Sequence, residues 1–142
     1  MGEIRVRVRL VNALDEVLAS RGQLPADQVQ TYEADAMVDT GAVRLVISVH
    51  VLQQLGLDVR DQRVAEYADG RQEMVDVTEP LVVEILGRDT LEETLVLGDE
   101  ILIGQTVLEK LDLLSDCANN QLVPNPAHPD QPVSKVKLIH AM

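Results

Sequence analysis

The chain has 142 residues, enough for one domain with a real core, and 46% are apolar although only two are aromatic. A formal charge of −12 repels phosphate backbones and anionic membrane surfaces, and the shortage of aromatic rings removes stacking platforms for bases, so neither a nucleic-acid nor a membrane partner is expected. Cys117 is the only cysteine, which rules out an intrachain disulfide and fits a reducing compartment.

At the N-terminus Ile4, Val6, Val8 and Leu10 alternate with Arg5, Arg7 and Arg9. That period of two marks a strand with one buried face, and its charges argue against a signal peptide or a membrane span. The expected location is cytoplasmic. Residues 12–30 lose the alternation and contain Gly22 and Pro25, so they read as a loop with at most a helical turn around Leu14–Ala19. Alternation returns at Ala34, Ala36 and Val38 and runs into Asp39-Thr40-Gly41-Ala42. A strand over Val43–Ile47 is expected next, then a short helix capped by Ser48, running through Leu55 and closed by Gly56.

Val59–Tyr67 and Gln72–Thr78 read as a hairpin around Ala68-Asp69-Gly70-Arg71, where Asp-Gly predicts a type I′ turn. A second hairpin is expected from Leu81–Leu86 and Thr90–Leu97 around Gly87-Arg88-Asp89. Glu100–Ile103 reads as a short strand ending at Gly104, and Gln105–Leu113 as a helix with Leu108 and Leu111 on one face. Four of the six prolines, Pro124, Pro126, Pro129 and Pro132, fall in the tail. They predict an extended arm over 124–142, separate from a domain over 1–123, with room for a last short strand at Val136 and Leu138. The pattern Val-Leu-x-x-Leu-x-Leu occurs at Val51–Leu57 and again at Val107–Leu113. Each copy follows a strand and a glycine, which is compatible with two similar halves or with a common amphipathic helix pattern.

Asp39-Thr40-Gly41 stands out from the apolar residues around it. A carboxylate at the end of a buried strand loses part of its hydration, Thr40 can tie down neighbouring backbone, and Gly41 permits close approach. All three are also turn formers, so the tripeptide alone leaves a turn open. The longer run Ala36–Ala42 resembles the active-site strand of retropepsin-like aspartic proteases. The order of the later elements is similar too: a hairpin, then two apolar residues and a glycine before a helix, here Leu102-Ile103-Gly104. The resemblance covers about Ile4 to Val123 and implies an all-β acid-protease barrel with one or two short helices.

The same resemblance implies an aspartic endopeptidase with Asp39 as the catalytic residue and Thr40, Gly41 and Ala42 supporting its loop. Tyr67, Ala68, Asp69, Gly70 and Arg71 would form a flap closing over an extended polypeptide substrate. Leu102, Ile103 and Gly104 would form the second glycine turn. One carboxylate is half a site, and the chain is too short for two lobes, so the partner implied is a second copy in a symmetric homodimer. The sequence departs from viral members in having Gln105 where they usually carry arginine, and Val43 and Arg44 where the matching acid would lie. The dimer sheet that viral members build from their termini does not carry over. The rival reading is a non-catalytic module of the same fold that binds peptide or only dimerises.

Other chemistries find little support. His50, His128 and His140 are scattered without metal-ligand spacing, so no metal or other cofactor is expected. His50 reads as a half-exposed helix residue and Cys117 as a packed thiol.

Overall fold

The structure, a computed structural model, describes residues 2–137. It is an all-β architecture built on one nine-stranded curled sheet, with three short α-helices against it. In chain order these are β1 (Arg5–Asn12), α1 (Ala13–Ser20), β2 (Thr31–Val38), β3 (Val46–Ile47), α2 (Val49–Gln54), β4 (Val59–Glu66), β5 (Gln72–Thr78), β6 (Leu81–Ile85), β7 (Arg88–Glu92), β8 (Leu95–Val96), β9 (Leu102–Ile103), α3 (Gln105–Leu111), β10 (Leu113–Asp116) and β11 (Gln121–Pro124). The sheet runs β4-β5-β8-β3-β9-β2-β1-β6-β7, and β10 with β11 makes a separate two-stranded sheet.

The core is aliphatic, as the composition requires. Val8, Leu10, Ala36, Leu45, Ile47, Leu55, Leu81, Val83, Ile85, Ile103 and Leu111 are essentially sealed from water. Strand alternation places them: Val8 and Leu10 point inward from β1 while Arg5, Arg7 and Arg9 lie outward. There Arg7 faces Asp35 across the β1–β2 pair at 3.7 Å.

The internal repeat corresponds to a real symmetry. β2 runs parallel to β9, and β8 runs parallel to β3, while β3 and β9 meet antiparallel at Val46 and Leu102. Met37 and Asp39 N–H donate to Ile101 and Ile103 carbonyls at 2.9 and 3.0 Å; Leu95 and Leu97 donate to Leu45 and Ile47, both at 3.0 Å. Leu97 thus stands in the second half where Asp39 stands in the first. The repeated Val51, Leu55 and Leu57 match Val107, Leu111 and Leu113, and all six are buried.

Several expectations change. The loop over 12–30 contains a full eight-residue helix, α1, started by Asn12, whose Oδ1 accepts from the Asp15 N–H at 3.1 Å. Its apolar Leu14 and Val17 point outward at 53% and 42% exposure, so no buried stripe announces it. The strand expected over Val43–Ile47 shrinks to Val46–Ile47, because the carbonyls of residues 42 and 43 accept from the start of α3 instead of a neighbouring strand. The helix expected to reach Leu113 stops at Leu111, where Asp112 takes a left-handed cap at φ 56°.

The two hairpin turns exchange their expected characters. Asp69-Gly70 is not type I′: among the described residues of this turn only Gly70 has positive φ, 84°. Tyr67 N–H donates to Arg71 O and Gly70 N–H to Tyr67 O, both at 2.8 Å, which makes a three-residue loop with a glycine bulge. The two-residue I′ geometry belongs to Leu86-Gly87, at φ 53° and 78°, because Ile85 pairs directly with Arg88. Arg88 and Asp89 are therefore strand residues, and the strand expected over Thr90–Leu97 divides into β7 and β8. Val136 lies outside any strand, and Leu138 and His140 lie outside the described residues.

Candidate active site

Asp39 leaves the end of β2 half-buried, and its loop is anchored from three directions. Its own N–H donates to Ile103 O, its carbonyl accepts from Ala42 N–H at 3.0 Å, and its Oδ1 accepts from Gly41 N–H at 3.0 Å. The last bond orients the carboxylate by local backbone alone. A Cβ at Gly41 would lie 3.2 Å from that oxygen, so glycine keeps the space open.

The floor of the loop is the start of α3. Gln105 and Thr106 N–H donate to Ala42 O and Val43 O at 2.8 and 2.9 Å, using two donors that a helix N-terminus leaves without internal partners. Gly104 makes this approach possible: a Cβ there would lie 2.5 Å from Arg44 O and 2.8 Å from Ala42 O. Leu102 and Ile103 fix the floor by pairing with Met37 and Val38, and Ile103 is fully buried. The Gln105 side chain donates to Glu109 at 3.5 Å, and Arg44 donates to Glu93 O at 3.3 Å. Backbone hydrogen bonds thus hold the loop without a side-chain ion pair at these positions.

A cleft of about 510 Å³ opens beside the carboxylate. Asp39, Gly41 and Ala42 line one side, and Val64 to Ala68 of the β4–β5 hairpin line the other. Of the residues expected in the flap, Tyr67 and Ala68 face this cleft with Asp39, whereas Asp69, Gly70 and Arg71 form the tip outside its lining. Asp69 Oδ1 accepts from Arg71 N–H at 2.9 Å, and the Arg71 guanidinium lies 4.6 Å above the Tyr67 ring. The Tyr67 hydroxyl donates to Glu73; that bond, with some burial, raises the phenol above its ordinary range, and Arg71 opposes the shift. Thr40 points elsewhere, into a second cavity shared with Gln105 and Leu108.

Of the apolar lining, sequence reasoning named Leu102, as part of the second glycine turn, and missed Val46, Val64, Leu95 and Leu97. Alternation in Leu95-Val96-Leu97 separates their faces, but only the tertiary fold shows that the leucine face meets Asp39. His50 is exposed on α2 with its ring edge-on to Tyr32 at 6.0 Å, and Cys117 is exposed rather than packed, because it sits in the β10–β11 turn. Among the described residues no three His, Cys, Asp or Glu side chains converge as a metal-binding group. No described helix is long and apolar enough to cross a membrane.

The arrangement offers one oriented carboxylate at the side of an open, partly apolar cleft under a hairpin. Such a cleft suits an extended chain whose backbone pairs with strand edges. A family model described as aspartyl protease matches residues 27–115, a span that contains the Asp39 loop, the hairpin and the Gly104 turn. No curated protein matches the chain.

Proposed function

Since the chain belongs to the aspartyl protease family, we propose that it is an endopeptidase whose working unit is a symmetric homodimer with one Asp39 from each copy. The observation that carries this reading is the Asp39 carboxylate, oriented by the Gly41 N–H and facing Tyr67 and Ala68 of the hairpin across one cleft. A lone carboxylate can accept a proton but cannot also hold one for the leaving group. A twofold axis beside Thr40 supplies the second.

Two carboxylates brought together share one proton, since both cannot easily ionise at close range. The ionised Asp39 takes a proton from a water held between them as the water oxygen bonds to the scissile carbonyl carbon. The protonated Asp39 gives its proton to the carbonyl oxygen. The tetrahedral diol then collapses: the nitrogen takes the proton of the carboxyl that deprotonated the water, a diol hydroxyl returns its proton to the other carboxylate, the C–N bond breaks, and a carboxylic acid and an amine leave with the one-proton dyad restored. The β4–β5 hairpin covers the bound chain, and its edge supplies backbone partners to an extended substrate. A cytoplasmic site of action belongs to the same reading, supported by an exposed, unpaired Cys117.

A non-catalytic module of the same fold is the competing reading, and the side chain at Gln105 favours it by offering no ion pair to the loop. Digestion of a denatured proteome by wild type and by Asp39→Asn separates the two. Wild type should generate new peptide termini that Asp39→Asn does not, while the variant stays folded and dimeric. Equal cleavage by both proteins would end the aspartic-protease reading; no cleavage by either would favour the binding module.

A further inference from the structure

The segment after β11 is fastened around one side chain. Asp112 Oδ1 accepts from Asn125 Nδ2 at 3.0 Å; its Oδ2 meets His128 Nδ1 at 2.6 Å and accepts from the Val133 N–H at 3.1 Å. The Asp112 carbonyl accepts from the Asn125 N–H and from Arg88, both at 3.0 Å. Arg88 is only 7% exposed, and it also donates to Leu111 O at 3.0 Å and to His128 O at 2.6 Å. A guanidinium is costly to bury unless its donors are satisfied, and three carbonyls satisfy this one.

Beyond this knot the chain reaches the active-site side of the molecule. Val133, Ser134 and Lys135 line a cavity of about 660 Å³ together with Thr40, Gln105 and Leu108. β10 contributes another wall, and its outer edge carries no strand among the described residues. Helix α3 connects the two assemblies. Its N-terminus holds the Ala42 and Val43 carbonyls, and its C-cap Asp112 holds the tail.

Thr40 adjoins Asp39, so a second subunit that brings its own Asp39 must approach beside this cavity. The wall carries both signs of charge, with Glu109 and Lys135 exposed and without ion-pair partners among the described residues. An isologous contact can pair each with the other across the axis.

Resting on the homodimer reading, we propose that Asp112 is a positioning residue for assembly: it fixes Val133–Lys135 as part of the surface that receives a second copy of this chain. Its effect reaches the reaction through dimer concentration and not through the chemical step.

Hydrogen exchange of the full wild-type chain over a dilution series is the first test. Peptides over 39–44 and over 129–137 should gain protection together as concentration rises. Gain at 39–44 without gain at 129–137 overturns this inference and leaves the homodimer standing. Gain at neither overturns both. The second test is Asp112→Gly, which keeps the left-handed cap while removing the carboxylate. Hydrolysis should reach half its plateau at about tenfold higher protein concentration, with the plateau per dimer unchanged. An unchanged midpoint, or a lowered plateau, contradicts a positioning role. If that variant does not fold, the wild-type exchange pattern decides.

Discussion

At the scale of single residues the site depends as much on what is absent as on what is present. Gly104 has backbone on the side where a Cβ would project, and the Ala42 carbonyl it faces is itself pinned by a helix N–H. Gly104→Ala must push the Asp39 loop away or break those bonds. It should cost about 1–3 kcal/mol in urea unfolding and lower hydrolysis more than its stability loss explains. A variant with wild-type midpoint and rate would show that the loop yields freely. The legible residues are those whose chemistry is unusual for their setting. Asp39, Gly41 and Gly104 are small or charged among apolar neighbours, so the sequence exposes them. Val64 and Leu97 look like any other strand residues, and nothing local states that they face the same cleft. Asp112 escapes notice because its partners lie at positions 125, 128 and 133, beyond the reach of any local pattern.

At the scale of elements, strands are legible where one face is buried, as in β1 and β2, and poorly so where pairing is short and distant. β8 and β9 have two residues each, too few to show a period, and they exist because β2 and β3 lie alongside them. Helix α1 is hidden by its outward Leu14 and Val17, although Asn12 does two jobs there. Its Oδ1 caps the helix, and its Nδ2 donates to Leu55 O at 2.8 Å, joining the start of α1 to the end of α2. The tail clamp leads to a prediction at this scale. The hydrogen bond from Asn125, aided by the Val133 N–H and His128, holds the Asp112 carboxyl below its ordinary range despite partial burial. A depressed folded value means that the carboxylate's contribution is fully present above the unfolded carboxylate range of about 4 and lost as pH falls through the folded value. Exchange at the Val133 amide should therefore stay slow in mild acid and accelerate only in stronger acid. In Asp112→Asn that acid step should disappear. Acceleration that begins near neutral pH would place control elsewhere.

At the scale of the whole molecule, the proposed homodimer makes activity a property of assembly. Hydrolysis should rise more steeply than linearly with protein concentration below the dimer dissociation constant. It should follow a bell-shaped pH profile that favours acid, since the dyad works with one proton. Cys117→Ser should leave both behaviours unchanged. Full activity at every dilution, or a rate climbing steadily into alkali, would contradict the shared-proton mechanism. The internal twofold is half legible: the repeated helix pattern suggests it, and only the paired parallel strands distinguish duplication of architecture from coincidence of sequence. Those parallel strands also set an order of events during synthesis. The Asp39 loop rests on backbone from Ile101 to Thr106, so its floor does not exist until Thr106 has been made. Contacts this distant in sequence form slowly, after loop-closure entropy has been overcome. The Asp39 loop thus waits, unsupported, while the more than sixty residues between it and Thr106 are made, and a growing polypeptide is shielded from its own oriented carboxylate over that interval.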